Sequence, residues 1–161
     1  LLPGVSGMRG PLSCLTQARF GICYGAVGAA MACYDEALSY AKDRVQFSRP
    51  IAGYQLVQQK LVEMVSEITK AQLLCFRLGR LKEAEKLTPA QISLAKRNNC
   101  DIARNIARDA RDILGANGVT DEYQCGRHML NLESVYTYEG THDIHTLVVG
   151  QDVTGLAAFD G

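Results

Sequence analysis

The sequence lacks an excess of charge of either sign: 17 Lys and Arg face 17 Asp and Glu over 161 residues. That balance argues against nucleic acid or an anionic membrane surface as a partner, because both are held by basic patches. It has no apolar run of roughly 18 residues, so no membrane insertion is expected. No C-x-x-C pair occurs. The six cysteines lie scattered at positions 14, 23, 33, 75, 100 and 125. They read as buried thiols of a reducing compartment rather than a disulfide framework, and no zinc site is expected. There is no internal repeat, no low-complexity tract and no strand-like alternation beyond a few residues. The chain opens on Leu1-Leu2-Pro3, without Met and without the charged and apolar regions of a signal peptide, so a fragment or processed product is expected.

What is present suits one domain with a substantial core: 47% hydrophobic residues, 21% charged residues and 15 Gly do not make a disordered chain. Residues 1–12 carry three Gly and two Pro and predict an irregular leading arm, with a helical domain over 13–161. Leu15, Ala18, Ile22, Ala26, Ala29, Cys33, Ala37 and Tyr40 recur at steps of three and four and predict the first helix. Gly21, Gly25 and Gly28 are expected to let a neighbouring helix approach closely. Pro50 requires this helix to stop between Arg44 and Ser48. A second helix is predicted from about Tyr54 to Leu78, on a stripe from Val57 through Leu61, Met64, Val65 and Ile68 to Leu78. Thr88-Pro89-Ala90-Gln91 is a start signal: Thr88 as cap, Pro89 at the first helical position, Gln91 closing a capping box. The third helix then runs to Gly115. A short helix is predicted at about 122–132, an extended piece from Ser134 to Glu139, and a last helix from Thr141, with Asp143 in its first turn and Ile144, Leu147, Val148 and Val153 as its apolar side. The sum is an all-α antiparallel bundle of four main helices.

The densest polar stretch is Tyr138-Glu139-Gly140-Thr141-His142-Asp143-Ile144-His145. Glu139 and His142 have the Glu-x-x-His spacing of dinuclear metal sites in helix bundles, but a second pair is missing, because Cys125 stands three residues before His128. No metal is expected. The bland alternative is a polar helix cap. Arg44 at a helix end either complements the helix dipole or binds phosphate. Gly115-Ala116-Asn117-Gly118 follows a helix and does not fit the glycine fingerprint of a dinucleotide-binding strand–turn–helix unit.

Taken together, Arg44-x-x-Phe47, Pro50-Ile51, Gln55, Leu114-Gly115-Ala116-Asn117-Gly118 and Tyr138-Glu139-Gly140-Thr141 resemble, in order and spacing, the C-terminal domain of the acyl-CoA dehydrogenase family, from Pro11 to about Phe159. Lys96-Arg97-Asn98-Asn99-Cys100, Asn131-Leu132-Glu133 and the run Thr137 to His145 resemble the glutaryl-CoA branch of that family.

The resemblance implies a catalytic base at Glu139, which removes the pro-R α-proton of an acyl-CoA thioester while a β-hydride passes to FAD. The thioester oxygen would be held by a flavin hydroxyl and by the Glu139 N–H. FAD contacts are implied at Arg44, Gln46, Phe47 and Gln55, at Asp112, Ile113, Leu114, Gly115 and Ala116, at Thr141, His142 and Asp143, and at Phe159, with the adenine end reaching a neighbouring subunit. The acyl-CoA side is implied at Leu12, Ser13, Cys14, Leu15, Thr16, Gln17, Ala18 and Arg19, the last as the charged contact, with Tyr138 and Gly140 beside the base. A glutaryl substrate would give glutaconyl-CoA and, by loss of CO2, crotonyl-CoA, with electrons leaving to an electron-transfer flavoprotein.

The family's N-terminal helical and middle β domains are absent from these residues, and a homotetramer is implied. The compartment would be the cytoplasm of a bacterium or the mitochondrial matrix of a eukaryote. Ser48 and Ala116 depart from the family's usual glycines. The alternatives are a dehydrogenase for another short or branched acyl-CoA, and a helical association module without chemistry of its own.

Overall fold

The Thr88 signal forms as a complete capping box, with Thr88 Oγ1 accepting from Gln91 N–H at 3.3 Å and Gln91 Oε1 accepting from Thr88 N–H at 3.0 Å. It opens α3, Pro89–Ile113, the central element of a computed structural model that describes residues 4–158. Around it stand α1 (Arg9–Asp43), α2 (Gln55–Glu83), α4 (Gln124–Thr137) and α5 (His142–Thr154). α3 touches all four, and its packing against α1 is the most extensive in the fold. The all-α bundle is as expected. Phe159 lies outside the described residues.

The reason α1 and α3 can meet so closely is side-chain size. α1 buries Cys23, Ala26, Ala30, Cys33, Ala37 and Ala41, and α3 answers with Ala95, Cys100, Ala103, Ala107 and Ala110. The expectation that Gly21, Gly25 and Gly28 make the close approach is corrected. A side-chain carbon built at any of them meets nothing within 4 Å, so they lie away from the seam. Small residues with a Cβ give the same approach at lower cost in helix propensity. α2 packs through Leu61, Met64, Ile68, Ala71, Cys75 and Leu78. Five of the six free cysteines are buried as expected, and only Cys14 is exposed.

Three boundaries and the burial of one helix face differ from the sequence reading. α1 begins at Arg9, so the helix takes in the end of the predicted arm. Pro11 is tolerated there because first-turn N–H groups have no helical partner. α2 runs to Glu83, past Gly79, whose missing side chain leaves room for the Tyr24 hydroxyl as it donates to Cys75 O at 2.8 Å. α4 continues to Thr137 through the segment predicted to be extended. Val135 and Tyr136 have strand-like chemistry, but they pack on the core, and Glu133 pairs with Arg104 and Arg108 of α3, so tertiary contacts override local preference. The predicted apolar side of α5 is covered only in part: Leu147 and Val148 are half-buried, Ile144 and Val153 are 45% and 77% exposed, and the fully buried residue of this helix is His145.

Between α1 and α2 the chain forms a hairpin that the sequence reading did not contain. β1 (Val45–Gln46) pairs antiparallel with β2 (Arg49–Pro50), joined by Phe47 and Ser48 at φ 50° and 65°. Two consecutive left-handed residues make the turn whose twist suits a two-residue hairpin loop. Tyr54 locks it, donating its hydroxyl to Gln46 O at 2.9 Å beneath the Arg49 guanidinium, 3.9 Å above its ring. Neither loop residue is glycine, so the hairpin is strained. Ser48→Gly is expected to stabilise the chain by about 1 kcal/mol, read as a higher Tm.

Candidate active site

The turn between α4 and α5 is built around a carboxylate in an unusual backbone position. Glu139 stands at φ 54° and Gly140 at φ 93°. The following Thr141 caps α5, its Oγ1 accepting from Ile144 N–H at 3.2 Å. Left-handed geometry costs an L residue energy and persists where the surroundings impose it. Here Arg19 of α1 donates its Nε–H to Glu139 O at 2.7 Å, and Lys96 of α3 donates to Val135 O, Tyr138 O and Gly140 O at 2.9, 2.9 and 2.8 Å. Three acceptors on one nitrogen require the ammonium form, since a neutral amine has two N–H groups. Burial pulls the Lys96 pKa below its ordinary value, and Lys96 is only 1% exposed.

Glu139 itself is half-buried. Its Oε2 is enclosed and has no hydrogen-bond partner among the described residues. Its N–H, just past the end of α4, also donates to none of them. A carboxylate oxygen and a backbone donor on one residue are thus both unspent, which is the equipment for accepting a proton while holding an oxyanion. Tyr138, next to it, is 46% exposed. His142 stacks on Tyr136 at 4.6 Å, with its Nδ1 enclosed and unpartnered among the described residues, and burial lowers its pKa. His145 is fully buried, with Nδ1 3.0 Å from Ser93 Oγ, and burial, reinforced by the Lys96 and Arg19 charges, holds its pKa down to about 4. It is therefore a neutral imidazole at physiological pH. Asp143 is exposed in the first turn of α5.

The predicted acyl-CoA segment is the start of α1. Leu12, Ser13, Cys14, Gln17 and Ala18 are exposed there, and Leu15, Thr16 and Arg19 are half-buried. The fold brings this segment to the Glu139 turn through Arg19, but the Arg19 Nε is already committed to the Glu139 carbonyl.

A second concavity lies at the other end of α1 and α3. Arg44, Gln46 and Phe47 from the hairpin region face Asp112, Ile113, Leu114, Gly115 and Ala116 across a groove of about 680 Å³. Gln55 opens α2 beside it. Phe47 is 90% exposed, and Arg44 makes no ion pair among the described residues. Asp112 is ion-paired with Lys60 of α2 and Arg111, and the Lys60 hydrogen bond, more than any other influence, holds its carboxyl below its ordinary pKa. The loop wall is fixed by Gly118, where a Cβ would strike the Arg111 backbone, and by Asn117, which donates to the Tyr40 hydroxyl at 2.9 Å. Lys96 and Asp112 are 16 positions apart on α3, so the two sites are separated by about 24 Å along that helix.

The structure gathers the residues named from the sequence at these two places, and adds Lys96, Ser93 and His145, to which the sequence reading gave no role, to the first. The signal available was a lysine and a serine on the inward face of α3, in register with Ile92 and Asn99.

Residues 6–154 match the family described as acyl-CoA dehydrogenase, C-terminal domain. A crystal structure of glutaryl-CoA dehydrogenase from Mycobacterium smegmatis superposes with a TM-score of 0.97 at 55% identity, covering 99% of this chain and 41% of that one. A glutaryl-CoA dehydrogenase from the same organism in complex with FADH2 gives a TM-score of 0.96 at 49% identity, covering 98% of this chain and 41% of that one. The short-chain specific acyl-CoA dehydrogenase of Megasphaera elsdenii is 31% identical over 89% of this chain and 38% of its own length. The chain spans about 40% of the length of such relatives. With the match running through both sites, the chain belongs to the acyl-CoA dehydrogenase family, as its C-terminal domain.

Proposed function

We propose that the protein containing this chain is a glutaryl-CoA dehydrogenase and that Glu139 is its base. The observation that carries the base assignment is the enclosed, unpartnered Oε2 of Glu139, on the same residue as a free N–H. The carboxylate takes the α-proton of the thioester, and the Glu139 N–H donates to the thioester oxygen as negative charge grows there. Gly140, lacking a side chain, keeps the approach open. The start of α1, with Arg19 at its inner end, forms the acyl-CoA side.

FAD is the cofactor of this family, and a relative has been captured with FADH2. The residues present fit it. Arg44, with no carboxylate partner, suits a pyrophosphate, and Phe47, Leu114 and the Gly115 backbone offer an apolar wall with close approach. At the other site, the enclosed Nδ1 of His142 and the capped start of α5, with Thr141 and Asp143, supply polar groups for a second portion of a flavin nucleotide. The separation of the two sets along α3 supports a flavin shared between chains of a homotetramer. When bound, FAD supplies the acceptor for the β-hydride. An electron-transfer flavoprotein is the proposed acceptor of the electrons.

The glutaryl preference rests on 55% and 49% identity to two glutaryl-CoA dehydrogenase structures against 30% to a butyryl-CoA dehydrogenase structure, although a glutaryl-CoA dehydrogenase from Desulfococcus multivorans, at 30%, is no more similar than the short-chain enzyme at 31%. A substrate panel on the full-length protein tests it. Glutaryl-CoA is expected to be turned over at least about tenfold more efficiently than butyryl-CoA or isovaleryl-CoA, with release of CO2. Preference for a monocarboxylic acyl-CoA would assign the protein to the short- or branched-chain branch. Glutaryl-CoA oxidation without CO2 would make it a non-decarboxylating glutaryl enzyme.

A further inference from the structure

We propose that Lys96 and Arg19 act together as positioning residues for the Glu139 carboxylate, clamping the carbonyls of the turn that carries it from two different helices. The proposal rests on the reading of Glu139 as the base. Between them the two side chains take four carbonyls, those of Val135, Tyr138, Glu139 and Gly140. A lysine serving only to cap α4 would need the Val135 carbonyl alone, in the last turn of the helix. The other three carbonyls lie beyond the helix end, on the residue before the carboxylate, on the carboxylate residue and on the residue after it.

Fixing all three peptide units leaves Glu139 little choice but its left-handed conformation, and that conformation sets where its N–H and its side chain can reach. The donors arrive from α1 and α3, the two helices most extensively packed against each other, so the clamp has a rigid base. The Lys96 ammonium is also a buried positive charge beside a carboxylate that must stay ionised to act as a base.

The test uses the full-length, FAD-loaded enzyme. Lys96→Met keeps length and approximate volume and removes all three donors, while Lys96→Gln keeps donors without the charge. Turnover per bound FAD is expected to fall about 10²-fold in Lys96→Met and less in Lys96→Gln, with KM within about threefold of the parent. Amide hydrogen exchange of residues 138–141 should rise about tenfold or more in Lys96→Met. A merely structural lysine would lower the FAD-loaded fraction and leave turnover per FAD unchanged.

Turnover per FAD within about threefold of the parent, with unaltered exchange in that turn, overturns the proposal. Should neither Lys96 variant load FAD, Arg19→Met decides. A fall of about tenfold or more in turnover supports the clamp, and parental turnover overturns it. Glu139→Gln, run alongside, separates the two claims. If it stays active, the base assignment falls, and hydrogen exchange in the Lys96 variants still reports whether the turn is clamped.

Discussion

Replacing Glu139 by Gln in the full-length protein is expected to lower turnover by about 10⁴-fold while FAD remains bound. The substitution keeps side-chain size and removes one function, the capacity to take a proton. Its cationic neighbours offer no substitute: Lys96 donates to three carbonyls and Arg19 donates to the Glu139 carbonyl. Binding should survive, because the Glu139 N–H is unchanged and the groove around Arg44 lies at the far end of α3. Steady-state turnover and flavin absorbance of the purified variant read both halves of the expectation. Turnover near the parent's would remove Glu139 from its role.

Gly140→Ala is expected to have the next largest effect, through geometry and not through chemistry. At φ 93° an L residue is strained, at about 1–2 kcal/mol. The added Cβ would also stand 2.8 Å from His145 Nε2 and 3.4 Å from an Arg19 nitrogen. The imidazole cannot swing aside, since it is fully buried and held by Ser93. Overpacking of this kind adds about 1–3 kcal/mol. The turn should therefore give way, carrying Glu139 off its position. Thermal unfolding should show a lower Tm, and residual turnover per FAD should fall at least about 10²-fold. A variant that melts and turns over like the parent would show that the turn has slack and would overturn this expectation.

Much of the fold was legible because it follows short-range rules. The α3 start was readable from Thr88, Pro89 and Gln91, and the α5 cap from Thr141, since each bonds within three residues of itself. The start of α4 was less so. Its first N–H groups are capped by Glu36 of α1, which accepts from Gln124 N–H and Cys125 N–H at 2.8 Å each across 88 and 89 residues. Nothing local announces such a bond. The same limit explains the misplaced extended segment: Val135 and Tyr136 are held in the helix by the core they cover, which no residue near them in sequence announces.

At the site, resemblance named candidate residues, because a motif records side-chain chemistry. It included Lys96 in a branch motif but gave it no role, because its partners are backbone carbonyls and carry no residue identity. The hairpin at Phe47 and Ser48 was invisible for a different reason: a serine in a glycine's conformation leaves no turn signal in the sequence.

The seam between α1 and α3 carries a further consequence. Alanine has no rotamers and cysteine one torsion, so ordering the many alanines and cysteines of this interface costs little side-chain entropy on folding. The same poverty of torsions means that the interface has no means of absorbing a dent by repacking. The spacing of anything mounted on those two helices is consequently set largely by main chain, as the jaws of a caliper are set by its bar.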